Sequence, residues 1–191
     1  MSVNQLTIHG PFDWVGPTQN SVFRCQHSKL AGVYLWTIPF KEQYLTYYVG
    51  QTGVSFIARL TQHTASYLDG TYRIWKKDDF VNGKRILAWH GRWMKGTENT
   101  IDEFLNSHQE LDPVGFMRAM KLFLVPINAN QRIRERIEAA IAQQISSYSK
   151  FAADFLDEVN KFYPRREDEE KRIVTIQNYD KIIGLSEELE I

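Results

Sequence analysis

The chain has 191 residues, 43% of them hydrophobic and 13% aromatic, with 11 Gly and 6 Pro, which predicts one folded domain spanning residues 1–191 and excludes a low-complexity or disordered chain. Its formal net charge of zero differs from the basic balance that is usual in proteins that bind nucleic acid through its phosphates. Apolar runs such as Leu30–Trp36 fall far short of the ~20 residues that span a bilayer, and Met1–Gly10 lacks signal-peptide features, so we expect a cytoplasmic protein with no membrane partner.

Positive charge is concentrated in the middle of the chain. Residues 54–95 carry eight Lys and Arg against three Asp, whereas residues 96–191 carry twelve basic against eighteen acidic side chains. Trp75, Phe80, Trp89 and Trp93 are interleaved with the basic residues, a composition typical of a surface that follows a phosphate backbone and stacks on bases. The alternative is a solvated face over the edge of the core. Six residues are candidates for nucleic-acid binding: Arg73, Lys76, Lys77, Lys84, Arg85 and Arg92.

The first third of the chain predicts β-strands with turns between them. The strand candidates either alternate in polarity or are rich in β-branched and aromatic residues: Asn4–Gly10, Ser21–Cys25, Gly32–Ile38 and Tyr44–Gly50. The Gly10-Pro11 pair predicts a turn, and the last two strands predict a hairpin whose loop is Pro39–Gln43.

A helix follows this hairpin. After a predicted turn at Gln51–Gly53, Ser55 is placed to cap a helix that directs an apolar set towards the core: Phe56, Ile57, Leu60, Tyr67 and Leu68. Arg59 and His63 lie four residues apart on this helix, on one face that is offset from the apolar stripe. Both side chains are therefore expected to point towards the same group or ligand.

Local sequence patterns also predict the secondary structure of the rest of the chain. Residues 69–99 are irregular, with short strand candidates at Tyr72–Trp75 and Ile86–Trp89. Further elements are predicted in this order: a helix over Thr100–Glu110 capped by Thr100, a buried strand over Phe116–Ile127, a helix over Asn130–Tyr148, and a helical pattern from Phe151 to Phe162 that stops at Pro164. The mixed charge run Arg165–Arg172 predicts a solvated segment.

Two tripeptides at hairpin spacing carry a resemblance. Gly32-Val33-Tyr34 stands on the first hairpin strand and Tyr48-Val49-Gly50 on the second, followed by Gln51-Thr52. With Arg59 and His63 on the next helix and Glu138 on a later amphipathic helix, this order resembles the GIY-YIG nuclease family. Members of that family often have an asparagine a dozen or so residues after the glutamate, whereas in this chain the nearest candidate, Asn160, is farther away.

The resemblance implies a fold. It is an α+β fold in which a small central antiparallel sheet is flanked by helices, here with a core at about residues 30–148. To this core the chain would add N-terminal strands, a basic insertion at about 76–115 and a helical extension at about 149–191.

The resemblance also implies an activity, that of a metal-dependent DNA endonuclease. Glu138 would hold Mg²⁺ or Mn²⁺, Tyr34 and Tyr48 would position water and phosphate, Arg59 would stabilise charge and His63 would assist. DNA is the expected partner, RNA is not excluded, and a homodimer is expected if the protein makes double-strand breaks. The alternative function is a non-catalytic module on the same fold that binds nucleic acid or protein.

Each candidate residue also has a structural reading. Glu138 alone would be a helix-surface glutamate paired with Arg134, four residues earlier. Arg59 would be a surface ion-pair partner, the two tyrosines would pack across the hairpin, and His63 would be a helix-face histidine with no role in chemistry. The structure separates some of these readings.

Overall fold

The structure is a computed structural model that describes residues 4–16, 18–92, 101–107, 111–157 and 165–191. These ranges form strands and α-helices in the following order: β1 (Gln5–Thr7), β2 (His9–Asp13), β3 (Gly32–Phe40), β4 (Gln43–Thr52), α1 (Phe56–Leu68), β5 (Ile74–Trp75), α2 (Lys77–Phe80), β6 (Leu87–Trp89), α3 (Ile101–Asn106), α4 (Pro113–Ala119), β7 (Lys121–Pro126), α5 (Gln131–Tyr148), α6 (Lys150–Phe155), β8 (Ile173–Gln177) and β9 (Glu188–Glu190). The described residues combine helices with largely antiparallel sheets, so the predicted α+β class is confirmed.

A four-stranded antiparallel sheet with the order β2-β7-β3-β4 forms the centre of the fold. β3 lies between β7 and β4, and its apolar run is buried from Gly32 to Ile38, as expected of an interior strand covered on both faces. The predicted hairpin is confirmed, but its loop is shorter than predicted. Only Lys41 and Glu42 join the two strands, with Lys41 at a φ of 54°.

Helices pack against this sheet. α1 packs on the face that carries Trp36 and Tyr48, where the ring centroids of His63 and Trp36 lie 4.8 Å apart. α6 packs against β4, where the ring centroids of Phe155 and Tyr47 lie 5.9 Å apart. Tyr47 stands at the register shift between β3 and β4, so simple strand alternation does not apply to it, and it lines the same cavity as Tyr48.

The two longest helices begin where predicted. The hydroxyl of Ser55 accepts a hydrogen bond from Ala58 N at 3.2 Å at the start of α1, and the Asn130 side chain accepts one from Ile133 N at 3.0 Å at the start of α5. Leu68, predicted to face the core, is 47% exposed at the end of α1. None of the helices in the described ranges is long and apolar enough to cross a membrane.

Three predictions in the connecting segments are wrong. Ser21–Cys25 is not a strand, because Val22–Arg24 forms a 3-10 turn. The Gly10-Pro11 pair lies within β2 at a register shift opposite β7. The first part of Phe116–Ile127 is helical, because the Asp112 side chain caps α4 by accepting from Gly115 N.

The predicted C-terminal helical extension is also wrong. Helix α6 ends at Phe155, residues 158–164 lie outside the described ranges, and the chain then forms β8 and β9. Val174 and Ile176 are buried while their neighbours are exposed, the alternation of a strand with one covered face. β8 pairs in parallel with β1, so the two ends of the chain form one three-stranded sheet.

The charge run Arg165–Arg172 is exposed, as predicted, except at Glu169. Arg132 on α5 donates two hydrogen bonds to the carboxylate of Glu169, which also accepts from Arg166 N. These donors hold the pKa of Glu169 well below its usual range. The run is therefore attached to α5 through Glu169.

The middle segment contains a short hairpin. β5 pairs with β6 in antiparallel fashion, as predicted but with fewer residues in each strand. The helix predicted over Thr100–Glu110 is described as α3, while its predicted cap, Thr100, lies outside the described residues.

Candidate active site

The hairpin places Tyr34 and Tyr48 side by side on the α1 face of the sheet. Tyr34 pairs in register with Gly50 and Trp36 pairs with Tyr48, and the ring centroids of the two tyrosines lie 6.2 Å apart. A Cβ on Gly50 would lie 2.6 Å from the Tyr34 hydroxyl oxygen and 2.6 Å from Cε1 of Tyr48. Gly50 therefore leaves the space that both rings occupy.

Gly32, the glycine of the other tripeptide, permits close packing at the start of β3. It has a φ of 153°, and a Cβ there would lie 2.1 Å from the carbonyl oxygen of Val125 on β7 and 2.9 Å from the Phe56 ring on α1. Only glycine fits this approach between the sheet and the first turn of α1.

Arg59 and His63 on α1 converge on the Tyr34 hydroxyl. Nε2 of His63 lies 2.7 Å from the hydroxyl oxygen of Tyr34. The guanidinium of Arg59 lies close enough to the same hydroxyl to lower its pKa, and it donates to Gln62 Oε1 at 3.1 Å. The prediction that His63 lies off the apolar stripe is wrong, because it is only 2% exposed and packs against Trp36.

The hydroxyl and imidazole groups of the cluster are neutral at pH 7. Burial raises the pKa of Tyr34 to about 12, although the nearby side chains of Arg59 and Tyr48 lower it in part. Burial also raises the pKa of Tyr48, and the neighbouring hydroxyl of Tyr34 raises it further. The pKa of His63 falls to about 3, because the side chain is buried and Arg59 is positively charged. Arg59 therefore carries the fixed positive charge of this cluster.

Glu138 on α5 is a buried carboxyl group with a strongly shifted pKa. It is 8% exposed, and burial together with the charge of Glu135 raises its pKa to about 7, while Arg59 acts in the opposite direction. The charge of Glu138 in turn raises the pKa of Tyr34 and Tyr48, so α5 brings the carboxylate into the electrostatic field of the tyrosine cluster.

The reading of Glu138 as a surface partner of Arg134 is wrong. The Arg134 side chain turns away to donate to the Ala129 carbonyl and, at 3.4 Å, to Gln51 Oε1. Among the described residues none donates a hydrogen bond to the Glu138 carboxylate. Burial of the Glu138 side chain disfavours its ionised form, and a cation beside the carboxylate would stabilise that form.

This donor set fits a magnesium ion. Within the described ranges no three His, Cys, Asp or Glu side chains are grouped as they would be in a site built wholly from protein ligands. Mg²⁺ is commonly held by one or two carboxylates, with water and phosphate oxygens completing its coordination. Glu138 is the residue that would hold it.

Tyr72 belongs to the cluster and was not identified as a site residue in the sequence. Its hydroxyl oxygen lies 3.0 Å from Nδ1 of His63, the ring nitrogen that faces away from Tyr34. Tyr72 stands in the irregular segment after α1, where no periodicity indicates which way a side chain points. Its one signal was its position at the start of the short strand candidate Tyr72–Trp75.

The cluster adjoins a cavity of about 290 Å³. Aromatic side chains provide much of its wall, and polar side chains complete it; its lining includes Trp36, Tyr48, His63, Tyr72, Arg73 and Asp157. One predicted nucleic-acid-binding residue, Arg73, therefore lies beside the tyrosine cluster.

The basic residues of the middle segment differ in their surroundings. Arg73, Lys76, Lys77 and Lys84 are exposed. The half-buried guanidinium of Arg85 lies 5.4 Å from the centre of the Trp75 ring. Arg92 instead bonds within the protein, to Asp69 at 3.4 Å and to Thr71 Oγ1 at 3.3 Å.

The aromatic residues of that segment do not form the predicted base-stacking surface. Trp75 and Trp89 are 9% and 7% exposed, and Phe80 is fully buried. The indole N–H of Trp75 donates to the Tyr47 hydroxyl, and that of Trp89 donates to the Gly70 carbonyl, at 2.9 and 2.8 Å. These residues belong to the core, while Trp93 lies outside the described residues.

Comparison of the chain with protein-family models, with curated proteins and with solved structures gave no match in any of the three. The GIY-YIG resemblance therefore rests on the two tripeptides and on the residues that follow them. What the geometry adds is that side chains from β3, β4, α1 and α5 interact in one cluster.

Proposed function

We propose that this protein is a metal-dependent endonuclease that hydrolyses phosphodiester bonds in DNA through a site of GIY-YIG type. The observation that carries the proposal is the convergence of Arg59, His63 and Tyr48 on the Tyr34 hydroxyl, with the buried, electrostatically coupled carboxyl group of Glu138 nearby. A pKa shifted by burial and by specific charges is typical of functional sites. The five residues supply a cation, a carboxylate and hydrogen-bonding groups, the set that phosphate hydrolysis requires.

Arg59 binds the scissile phosphate in this proposal. Its guanidinium is always charged and offers a planar set of donors that matches two phosphate oxygens. It is half-buried and makes one ordinary hydrogen bond with the neighbouring Gln62, so a phosphate could replace its present contacts. In the transition state the same donors stabilise the increased negative charge on the phosphate oxygens.

Movement of Arg59 to the phosphate also exposes Tyr34. The Tyr34 side chain is fully buried in this structure, its hydroxyl is hydrogen-bonded to His63, and Arg59 and Tyr48 lie close to it. When Arg59 turns to the phosphate, a water molecule can reach a lone pair of the Tyr34 oxygen. Tyr48, which is partly exposed, then orients the water or a phosphate oxygen.

His63 accepts the proton that leaves this water once Arg59 has turned to the phosphate, because the departure of this positive charge removes one of the two causes that lower the pKa of His63. With a pKa of about 12 for Tyr34 and about 3 for His63, no proton crosses between them at rest. The proton of the Tyr34 hydroxyl moves to Nε2 only as the water gives its own proton to the Tyr34 oxygen, so that no free phenolate forms. The water oxygen then bonds to phosphorus, the bond from phosphorus to the leaving oxygen breaks, and that oxygen takes a proton from solvent.

Glu138 would hold Mg²⁺ or Mn²⁺ beside these groups. A bound cation would supply the positive charge that offsets the phosphate oxygens during the reaction. The Glu138 carboxylate must be ionised to bind it, and its pKa of about 7 means that metal binding competes with a proton near neutral pH.

The exposed basic residues contact DNA away from the reacting phosphate. Arg73 lines the cavity next to His63, while Lys76, Lys77 and Lys84 extend the positive charge along the middle segment. Contacts of this kind fix the position of DNA without selecting its sequence. RNA is an alternative substrate. If the protein cuts both strands of DNA, one active site per chain implies a homodimer.

A second candidate is a non-catalytic module that binds nucleic acid or protein. The complete burial of the Tyr34 hydroxyl favours it, because a hydroxyl that water never reaches cannot take part in hydrolysis. The two functions differ in whether substrate binding exposes Tyr34.

The experiment that separates them is incubation of the purified protein with supercoiled, linear and branched DNA and with RNA, in Mg²⁺, Mn²⁺ or EDTA. Cleavage that requires the metal supports the nuclease and defines its substrate. Binding in a gel-shift assay with no product on any substrate contradicts the nuclease and favours the second function.

A further inference from the structure

Tyr72 contacts His63 from the side opposite Tyr34. The two hydrogen bonds of the imidazole, 2.7 Å from Nε2 to Tyr34 and 3.0 Å from Nδ1 to Tyr72, occupy both ring nitrogens. A neutral imidazole carries its proton on one nitrogen and a lone pair on the other. Which nitrogen carries the proton decides whether His63 can accept a proton from Tyr34.

The different burial of the two tyrosines decides this question. The Tyr34 side chain is fully buried, and among the described residues the hydrogen-bond partner of its hydroxyl is Nε2 of His63, so its proton points to Nε2. Nδ1 consequently carries the imidazole proton and donates it to the Tyr72 hydroxyl. Tyr72 is half-buried beside the cavity, where its own proton can point to solvent. The Nδ1 proton of His63 therefore depends on the Tyr72 hydroxyl as its acceptor.

Packing holds the Tyr72 side chain in place. The Tyr72 N–H donates to the Ser66 carbonyl at 3.1 Å, and its ring packs edge-on against Tyr67 at 5.3 Å. Gly91, at a φ of 78°, lies against the backbone of residues 71–73, where a Cβ would be 2.8 to 3.0 Å from backbone atoms. Arg92, through its bonds to Asp69 and Thr71, fastens the same segment.

We propose that Tyr72 is a positioning residue that holds His63 in the tautomer with the proton on Nδ1, leaving the Nε2 lone pair directed at Tyr34. Its effect on cleavage rests on the proposed nuclease function, whereas its effect on the tautomer does not. In other proteins, the hydrogen bond made by one ring nitrogen of a histidine likewise sets which nitrogen carries the proton and how the ring is oriented.

The tautomer is measured by ¹⁵N NMR of the protein labelled at its five histidines, with the His63 signals assigned by their loss in His63→Gln. The wild type should show a protonated Nδ1 and an unprotonated Nε2. Tyr72→Phe removes only the hydroxyl and should produce a mixture of tautomers. Tyr44→Phe, which alters a half-buried tyrosine packed on Phe123, is the matched control and should leave His63 unchanged.

Cleavage provides a second readout. Tyr72→Phe should lower kcat by about 10- to 100-fold with KM unchanged, the usual effect of losing such a partner, whereas Tyr44→Phe should keep the wild-type rate. A protonated Nε2 in the wild type, or a Tyr72→Phe protein with the wild-type tautomer, overturns the proposal. The wild-type spectrum tests it even if Tyr72→Phe does not fold. A wild type that cuts no substrate rejects the nuclease, while the spectra still decide the role of Tyr72.

Discussion

The tyrosine cluster around His63 and the basic segment over residues 69–92 contrast in how they use their aromatic residues. In the cluster, Tyr34 and Tyr48 direct hydroxyls at charged or titratable neighbours on regular elements. In the basic segment, Trp75 and Trp89 use their indole N–H groups to bond within the protein and place their rings in the core. Under the proposed function, the same class of residue therefore serves chemistry in one region and folding in the other.

This difference shows why the composition of the basic segment alone does not predict a base-stacking surface. Basic residues mixed with aromatic ones indicate a nucleic-acid surface only if the aromatic rings face solvent. Three of the four aromatic residues of this segment, Trp75, Phe80 and Trp89, are largely buried. What is left on the surface is charge alone, as at Lys76, Lys77 and Lys84. We therefore expect changes in the segment's aromatic residues to alter stability, and changes in its lysines to alter binding.

The largest expected effect tests the core role of Trp89. Trp89→Ala should lower the free energy of unfolding by about 3–5 kcal/mol, because a large buried side chain packed on Phe104 is lost together with a hydrogen bond. Ile86→Ala, in the same hairpin region but 43% exposed, should change it by about 0.5 kcal/mol or less. Urea unfolding measures both. A stable Trp89→Ala protein with weak DNA binding would restore the base-stacking interpretation.

The next effect tests the cluster through Arg59. Arg59→Lys keeps the charge but loses the planar donor set, so kcat for cleavage should fall by about 10²–10³-fold. Arg118→Lys, an exposed arginine on α4, should keep the wild-type rate. Steady-state kinetics on the best substrate from the panel give both values. An unchanged rate in Arg59→Lys removes the bidentate phosphate contact from the account.

The stability of the cluster should depend on pH through Glu138. Because the native pKa of about 7 exceeds the ordinary value of 4.5, the native state binds this proton more tightly than the unfolded chain does. Ionisation therefore destabilises the native state progressively as pH rises from 4.5 to 7. Glu138→Gln should be more stable than the wild type by up to about 3 kcal/mol at pH 8 and by little at pH 4.5.

Urea unfolding at these two pH values, without metal, checks the prediction. Glu167→Gln is the matched control, since Glu167 is an exposed carboxylate and is not among the groups that shift the pKa of Glu138. A gain in stability that does not change with pH argues against a buried, ionising Glu138.

The smallest effect concerns the exposed lysines. If Lys76, Lys77 and Lys84 each contact one phosphate, replacing all three by Ala should reduce the slope of log K against log salt by about 3, with no change in the unfolding free energy. Binding titrations at several salt concentrations measure this slope. An unchanged slope places the DNA elsewhere on the molecule.

The regular elements that carry the cluster could be predicted from local pattern. Ser55 and Asn130 cap their helices, and the apolar runs of β3 and β4 form the hairpin, because these features depend on residues close together in the chain. The convergence of Arg59 and His63 also followed from their spacing on one helix. The burial of His63 did not, because it depends on Trp36, which is distant in sequence.

Long-range and irregular features could not be predicted in this way. The pairing of β1 with β8 joins residues about 170 positions apart, and no local pattern in β1 specifies β8 as its partner. Tyr72 reaches His63 from an irregular segment, which has no repeat that gives its direction. The start of α4 was taken for strand because Met117 and Met120 suit either structure, and the Asp112 cap was overlooked.

The central claim is that this one cluster hydrolyses phosphodiester bonds with a metal held by Glu138. The most direct test compares initial cleavage rates of the wild type, Glu138→Gln and the control Glu167→Gln over a range of Mg²⁺ concentrations. The account predicts no product above background from Glu138→Gln at any Mg²⁺ concentration, with near wild-type cleavage by Glu167→Gln, which alters an exposed carboxylate. Cleavage by Glu138→Gln at the wild-type rate and with the wild-type Mg²⁺ dependence would contradict it.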